Sequence, residues 1–204
     1  MRWIAVTAAA TALVVVSAGA WLYTRGSDDQ FASCRATAVA GGAGAIGGPF
    51  TLVNSAGHTV TDSDVITKPS LVYFGYTFCP DVCPLDNARN AEAVDILEEQ
   101  GYDVTPVFIS IDPERDTPEV VGEYAEVFSD KMIGLTGSPE QVKAASQAYR
   151  TYYKKNDTGD DYYLVDHSTF TYFVLPETGF AEFFRREATP DDMAQTVGCF
   201  IDHM

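Results

Sequence analysis

The chain has 204 residues, with 13 Lys+Arg against 29 Asp+Glu and a formal net charge of −16. A field of that sign argues against nucleic acid or an anionic membrane surface as a partner and favours cations or a basic protein face. Four cysteines suit an oxidising compartment, but a domain of about 150 residues buries enough surface to fold without a disulfide scaffold, so they need not all be structural.

From Trp3 to Thr24 no residue is charged, and the run is rich in Ala, Val and Leu. At 1.5 Å per residue it is long enough to cross a ~30 Å hydrocarbon layer. Residues 1–25 therefore read as a single-pass transmembrane anchor that leaves the remainder outside the cytoplasm. The rival is a cleaved signal peptide ending near Ser17-Ala18-Gly19-Ala20, although the apolar run exceeds the usual h-region of about 15 residues. Residues 26–49 read as a stem or linker, opened by Gly26-Ser27-Asp28-Asp29 and closed by the Ala/Gly-rich 38–48, with a short helix expected over 30–39.

The remaining 50–204 carry the globular domain. Phe50 to Val53 and Thr59 to Thr61 flank Asn54-Ser55-Ala56-Gly57, which predicts a hairpin. A central apolar strand follows from Ser70 to Tyr76. Pro84 to Gln100 then presents Leu85, Ala88, Ala91, Val94 and Leu97 at helical spacing, with Gly101 as the stop. Asp103 to Ile111 is nearly all apolar, the pattern of a strand covered on both faces. Thr117 and Pro118 supply an N-cap and first position for the next helix. A short strand over 132–135 and a helix from Ser138-Pro139 come next. The charged run 152–161 reads as a surface loop, followed by strands over 162–165, 169–175 and 180–184 and a closing helix over 190–201. The order predicts an α/β fold, a thioredoxin-like sandwich with an N-terminal hairpin and inserted elements.

Chemistry concentrates in one dodecamer, YFGYTFCPDVCP (73–84), where an apolar strand ends in two cysteines at the start of a helix. Positions i and i+4 on a first helical turn put both sulfurs on one face, and the unpaired amides of a helix N-terminus lower a thiolate's pKa. Two thiols alone form an incomplete zinc site and equally can close as a disulfide. A third donor is needed. Of the three histidines, His58 falls in the hairpin turn and His203 next to the C-terminus, where mobility weighs against a defined site. His167, beside Asp166 and near a late apolar strand, is the candidate, against the reading of a surface histidine. Two thiolates and one imidazole suit trigonal Cu(I), can hold Cu(II) with a further oxygen ligand, and bind Zn(II) less discriminately.

Taken together with VFISIDPERDTP (107–118), IGLTG (133–137), YYKK (152–155) and YYLVDHSTFTYFVLPETG (162–179), the dodecamer resembles the SCO/SenC family of membrane-anchored copper proteins. That family assists assembly of the binuclear copper centre of cytochrome c oxidase. The resemblance runs in order over roughly 50–200 and implies a thioredoxin-like fold with Cys79, Cys83 and His167 as ligands of Cu(I) or Cu(II). It further implies cytochrome c oxidase subunit II as partner, another copper chaperone as donor, and an anchor in a bacterial inner membrane with the domain in the periplasm, while single-pass anchoring makes a monomer the default. Asp81 and Asp166 are expected to tune local charge or hydrogen-bond a ligand, or else to be turn residues. Cys34 and Cys199 lie outside the family signature; their even count permits a disulfide between stem and last helix, the alternative being two independent thiols.

Copper delivery is one expected activity, and reduction of the partner's cysteines by Cys79 and Cys83 is the other. The three-residue spacing weighs against the second, since efficient thioredoxin-type exchange uses two. A peroxiredoxin-like peroxidase would need an activating Arg, and Arg89, the only one in the cysteine helix, should lie nearly two turns beyond Cys83.

Overall fold

The computed structural model describes residues 29–37, 42–156, 159 and 162–204. The predicted anchor, 1–25, and part of the stem lie outside the described residues. Among the described residues no helix is long and apolar enough to cross a membrane.

The domain is built on a sheet whose strands run in the order β2-β1-β5-β4-β3-β8-β9. These are β1 (Thr51–Asn54), β2 (Thr59–Thr61), β3 (Ser70–Gly75), β4 (Thr105–Ser110), β5 (Ile133–Thr136), β8 (Thr171–Leu175) and β9 (Gly179–Phe184). Strands β3, β4 and β5 are parallel neighbours, whereas β1 joins β5, and β8 joins β3, in antiparallel sense. The helices are α1 (Asp62–Val65), α2 (Val82–Glu99), α3 (Pro118–Phe128), α4 (Pro139–Ala148) and α5 (Pro190–Asp202). This is the thioredoxin-like α/β arrangement that the element order predicts.

All six residues of β3 are buried, which requires cover on both faces and explains its unbroken apolar character. Leu71, Val72, Tyr73 and Phe74 each lose essentially all solvent contact, worth about 1.5–3 kcal/mol per side chain by apolar area. The strand is therefore a rigid base for whatever its C-terminal end presents. Helix α2 packs on β3, on β4 and on α5. Helices α3 and α4 begin as their sequences predict, Thr117 and Ser138 accepting from the amides of Val120 and Gln141; α5 begins in the same way, Thr189 accepting from the Asp192 amide, and each cap is followed by Pro.

Two expectations fail. The charged run after Tyr152 is not a loop: Tyr153–Asn156 forms β6, which pairs antiparallel with β7 (Leu164–His167) as a separate two-stranded sheet. Its Lys154 and Lys155 are both exposed, so the strand carries no apolar alternation by which to read it. The stem helix expected over 30–39 is absent from its described part, where 30–34 are turns and 35–37 are irregular. The amides of Ala36 and Thr37 donate to the buried Glu182 carboxylate, at 2.9 and 3.2 Å, and the Arg35 guanidinium to Ala181 O at 3.1 Å. Those bonds take the place of a helical ladder.

Candidate metal centre

The centre forms where β3 hands the chain to α2. Helix α2 starts at Val82 with Asp81 as its N-cap, so Cys79 stands in the turn before the helix and Cys83 in its first turn. Sequence spacing had placed both on the helix. Pro80 is the reason, since the residue before a proline is driven out of the helical region, while Pro84 sits in the first turn where its missing amide costs nothing. The turn still brings the sulfurs to one place: the Cys83 amide donates to Cys79 Sγ at 3.4 Å.

His167 arrives from 84 residues away, its Nε2 3.3 Å from Cys83 Sγ. Cross-strand pairing opposite Tyr153 fixes its position, and its ring meets Tyr73 and Tyr76 edge-on. Nδ1 lies 2.8 Å from Ser168 O. A carbonyl only accepts, so Nδ1 carries a proton and Nε2 is the nitrogen that faces the sulfurs. The ligand atoms of Cys79, Cys83 and His167 all lie within 4.8 Å of one another.

The two thiols differ. A hydrogen bond from Cys83 is the largest influence on Cys79 and lowers its pKa; burial opposes this, and His167 and the amides of Asp81 and Cys83 add to it. Burial pushes the Cys83 thiol up, and the neighbouring Cys79 charge pushes it further. The charged form is therefore favoured on Cys79 and disfavoured on Cys83. The sulfurs are enclosed, with Cys79 8% and Cys83 0% exposed.

Three supports for this geometry were not foreseen from the sequence. Tyr73 donates to Asp86 Oδ2 at 2.9 Å while its hydroxyl lies 3.9 Å from Cys83 Sγ, and Asp86 in turn pairs with Arg89 at 3.2 Å and Arg186 at 3.5 Å. Arg89 is thereby committed to Asp86 and to Arg186 O and Thr171 Oγ1, which leaves it unsuited to activating a peroxidatic thiol. Asp116, fully buried, accepts from the Thr77 amide at 3.0 Å, the Thr77 hydroxyl at 2.6 Å and the Ser110 hydroxyl at 2.5 Å, and so clamps the loop that carries Cys79. The Arg115 guanidinium lies 3.6 Å from the Tyr163 ring centre and 4.7 Å from that of Phe78, bonding Asp112 and Tyr163 O as well.

Asp81 and Asp166 are both exposed. Asp81 serves through its amide, and Asp166 stands opposite Lys154 in the β6–β7 register. The imidazole is oriented by Ser168 O and not by the carboxylate beside it. Cys34 and Cys199 are joined by a disulfide that ties Cys34 to α5.

Comparison with known proteins agrees with this architecture. The chain is 56% identical over 199 residues to Protein SenC of Rhodobacter capsulatus, covering 98% of this chain and 89% of SenC. It is 46% identical to the Arabidopsis thaliana SCO1 homolog 1, over 76% of this chain but 47% of that longer protein. Among solved structures, Arabidopsis ScoI with copper bound superposes with a TM-score of 0.73 at 44% identity, over 78% of this chain and 99% of that one. Copper-bound Bradyrhizobium japonicum ScoI gives 0.68 at 38% identity, over 76% and 98%. The SCO1/SenC family model matches residues 39–202, and the chain belongs to the SCO1/SenC family.

Proposed function

We propose that this chain is a copper chaperone for cytochrome c oxidase, holding copper between Cys79 Sγ, Cys83 Sγ and His167 Nε2 and passing it to the binuclear site of subunit II. The observation that carries the reading is the convergence of two sulfurs and an imidazole nitrogen, from segments 84 residues apart, with Cys83 Sγ 3.3 Å from Nε2. The soft donors suit Cu(I), and a site of three protein donors leaves room for a ligand of the acceptor or for an oxygen ligand of Cu(II). The copper bound in the Arabidopsis and Bradyrhizobium relatives supports the choice of ion.

Copper is cargo here, so the protein's part is to bind and release. The thiolate of Cys79 stands ready to attract the cation, and Cys83 gives up its proton only as the metal arrives, which makes loading reversible by protonation. Phe78 and Tyr162 stack edge-on near the centre, and with Leu85 they are 47%, 63% and 59% exposed. These apolar groups flank the cysteine turn and offer a surface for a protein partner. Residues 1–25 would anchor the chain in the inner membrane, 26–49 form the stem, and 50–204 work in the periplasm as a monomer, receiving copper from a further chaperone.

The second reading is reduction of the acceptor's cysteines by Cys79, and the low pKa of that thiol favours it. Copper measured on the reduced, anaerobic chain separates the two. About one copper per chain, falling sharply in His167→Ala while disulfide exchange persists, supports delivery; no copper in either form, with exchange intact, supports the reductase.

A further inference from the structure

A second group of donors lies at the other end of the domain. Cys34 and Cys199 form a disulfide with Cα atoms 5.7 Å apart, and His203 follows one turn after Cys199 at the C-terminal end of α5. His203 Nδ1 lies 3.7 Å from Cys34 Sγ and 2.8 Å from Cys199 O. The ligand atoms of Cys34, Cys199 and His203 lie within 4.8 Å of one another, and among the described residues only this trio and Cys79, Cys83 and His167 come together in this way. The two trios have the same composition. Sequence position had counted against His203, but its amide closes the last turn on Phe200 O at 3.2 Å and its ring is held by the Cys199 carbonyl.

We propose that the disulfide masks a second Cu(I) site, formed by Cys34 Sγ, Cys199 Sγ and His203 once the bond is reduced. A disulfide sulfur is a poor ligand, whereas a thiolate is a strong one. The opening step takes two electrons from a dithiol reductant: the Cys34–Cys199 S–S bond breaks, two S–H bonds form, and the reductant leaves as its own disulfide. Cu(I) then displaces the two thiol protons to solvent, giving two S–Cu bonds, and the imidazole exchanges its hydrogen bond to Cys199 O for the metal.

Cys34 stays in place after the bond opens because its neighbours are held independently. Arg35 bonds Ala181 O, and the amides of Ala36 and Thr37 bond the Glu182 carboxylate, which is 2% exposed. Cys199 is half-buried and His203 exposed, so reductant and ion reach the site from solvent. The carbonyl end of α5 adds a negative potential that favours a cation. Zn(II) would require a fourth ligand, while Cu(I) is satisfied by three. Copper capacity would then report the thiol balance of the compartment, with one site while the disulfide is closed and two when it is open.

The test uses the full chain in detergent with Cys79→Ser and Cys83→Ser, which removes the first centre and makes the outcome independent of it. Cu(I) is presented as its bicinchoninate complex, before and after reduction with tris(2-carboxyethyl)phosphine, and transfer is read from loss of the complex's absorbance. The disulfide form should take no copper and the reduced form about one per chain. Adding His203→Ala should weaken the reduced form's affinity by about tenfold or more. No uptake after reduction overturns the proposal. So does uptake indifferent to His203→Ala, which is the behaviour of an unfolded dithiol. Should the double-serine chain not fold by circular dichroism, the same titration on the unsubstituted chain decides: a rise from about one copper to about two on reduction supports the site, and an unchanged count rejects it.

Discussion

A Cβ placed on Gly75 would stand 2.9 Å from Cys83 Sγ and 2.8 Å from the Tyr73 ring. The last residue of β3 is a glycine because the sulfur occupies the space a side chain would take. Gly75→Ala must push Cys83 away from His167 or tilt Tyr73. The expected cost is about 1–3 kcal/mol of overpacking, read as a lower melting temperature, together with weaker Cu(I) binding in a competition titration. Unchanged copper affinity would show that the sulfur position is not what sets the site.

The Tyr73 hydroxyl bridges Asp86 and the Cys83 sulfur. Tyr73→Phe keeps the ring and removes the bridge. Asp86 retains Arg89 and Arg186, so the loss is one buried hydrogen bond to a charged acceptor, about 1.5–3 kcal/mol of stability by chemical denaturation. Cys83 loses its hydroxyl neighbour as well, and Cu(I) affinity should fall about tenfold, as for other groups that support a ligand from behind. Loss of stability with affinity untouched would make Tyr73 a core residue only.

How much of this was legible depended on distance along the chain. The strand that leads to Cys79 and the helix carrying Cys83 were readable because apolar spacing, Pro84 and Gly101 act within a few residues. The N-caps Thr117 and Ser138 were readable for the same reason. The role of Pro80 was local too, and weighing it would have moved Cys79 off the helix. By contrast, nothing near Asp86 announces that its carboxylate meets a tyrosine from a strand 13 residues earlier. His167 could be chosen by elimination, but its register opposite Tyr153 depends on β6, a lysine-bearing strand without apolar alternation. Asp166 drew attention by adjacency, yet successive residues of a strand face opposite sides, so the neighbour of His167 in β7 points away from the centre.

Asp116 provides a test of the clamp on the cysteine turn. Burial is the largest influence on it and raises its pKa above the usual 3.8, with the Ser110 and Thr77 hydrogen bonds opposing. A carboxyl whose folded pKa is raised contributes stability that is full below the unfolded value and is lost as pH rises through the folded one. Asp116→Asn removes that titration and puts an NH2 in place of one of the two oxygens that accept from Thr77 and Ser110. The variant should be about 1–3 kcal/mol less stable than the parent near pH 4, with the gap narrowing toward pH 7. A gap that widens with pH would mean that the carboxylate's hydrogen bonds outweigh its burial.

The asymmetry of the two thiols is the most direct property to measure on the metal-free, reduced chain. Cys79 has a lowered pKa and retains some solvent contact, whereas Cys83 has a raised pKa and none. Limiting iodoacetamide followed by peptide mass spectrometry should therefore modify Cys79 at least about tenfold faster than Cys83. An ordinary thiol loses about tenfold in rate for each pH unit below about 8.5, because the thiolate is the nucleophile. Since the pKa of Cys79 is lowered, its thiolate persists, and its rate should stay flat between about pH 8 and pH 6. His167→Ala removes one of the hydrogen bonds that lower it, and should bring back part of the fall in rate toward pH 6. A steep pH dependence in the unsubstituted chain, or equal labelling of both cysteines, would show that the thiols are equivalent and that Cys79 does not stand ready as a thiolate for the incoming metal.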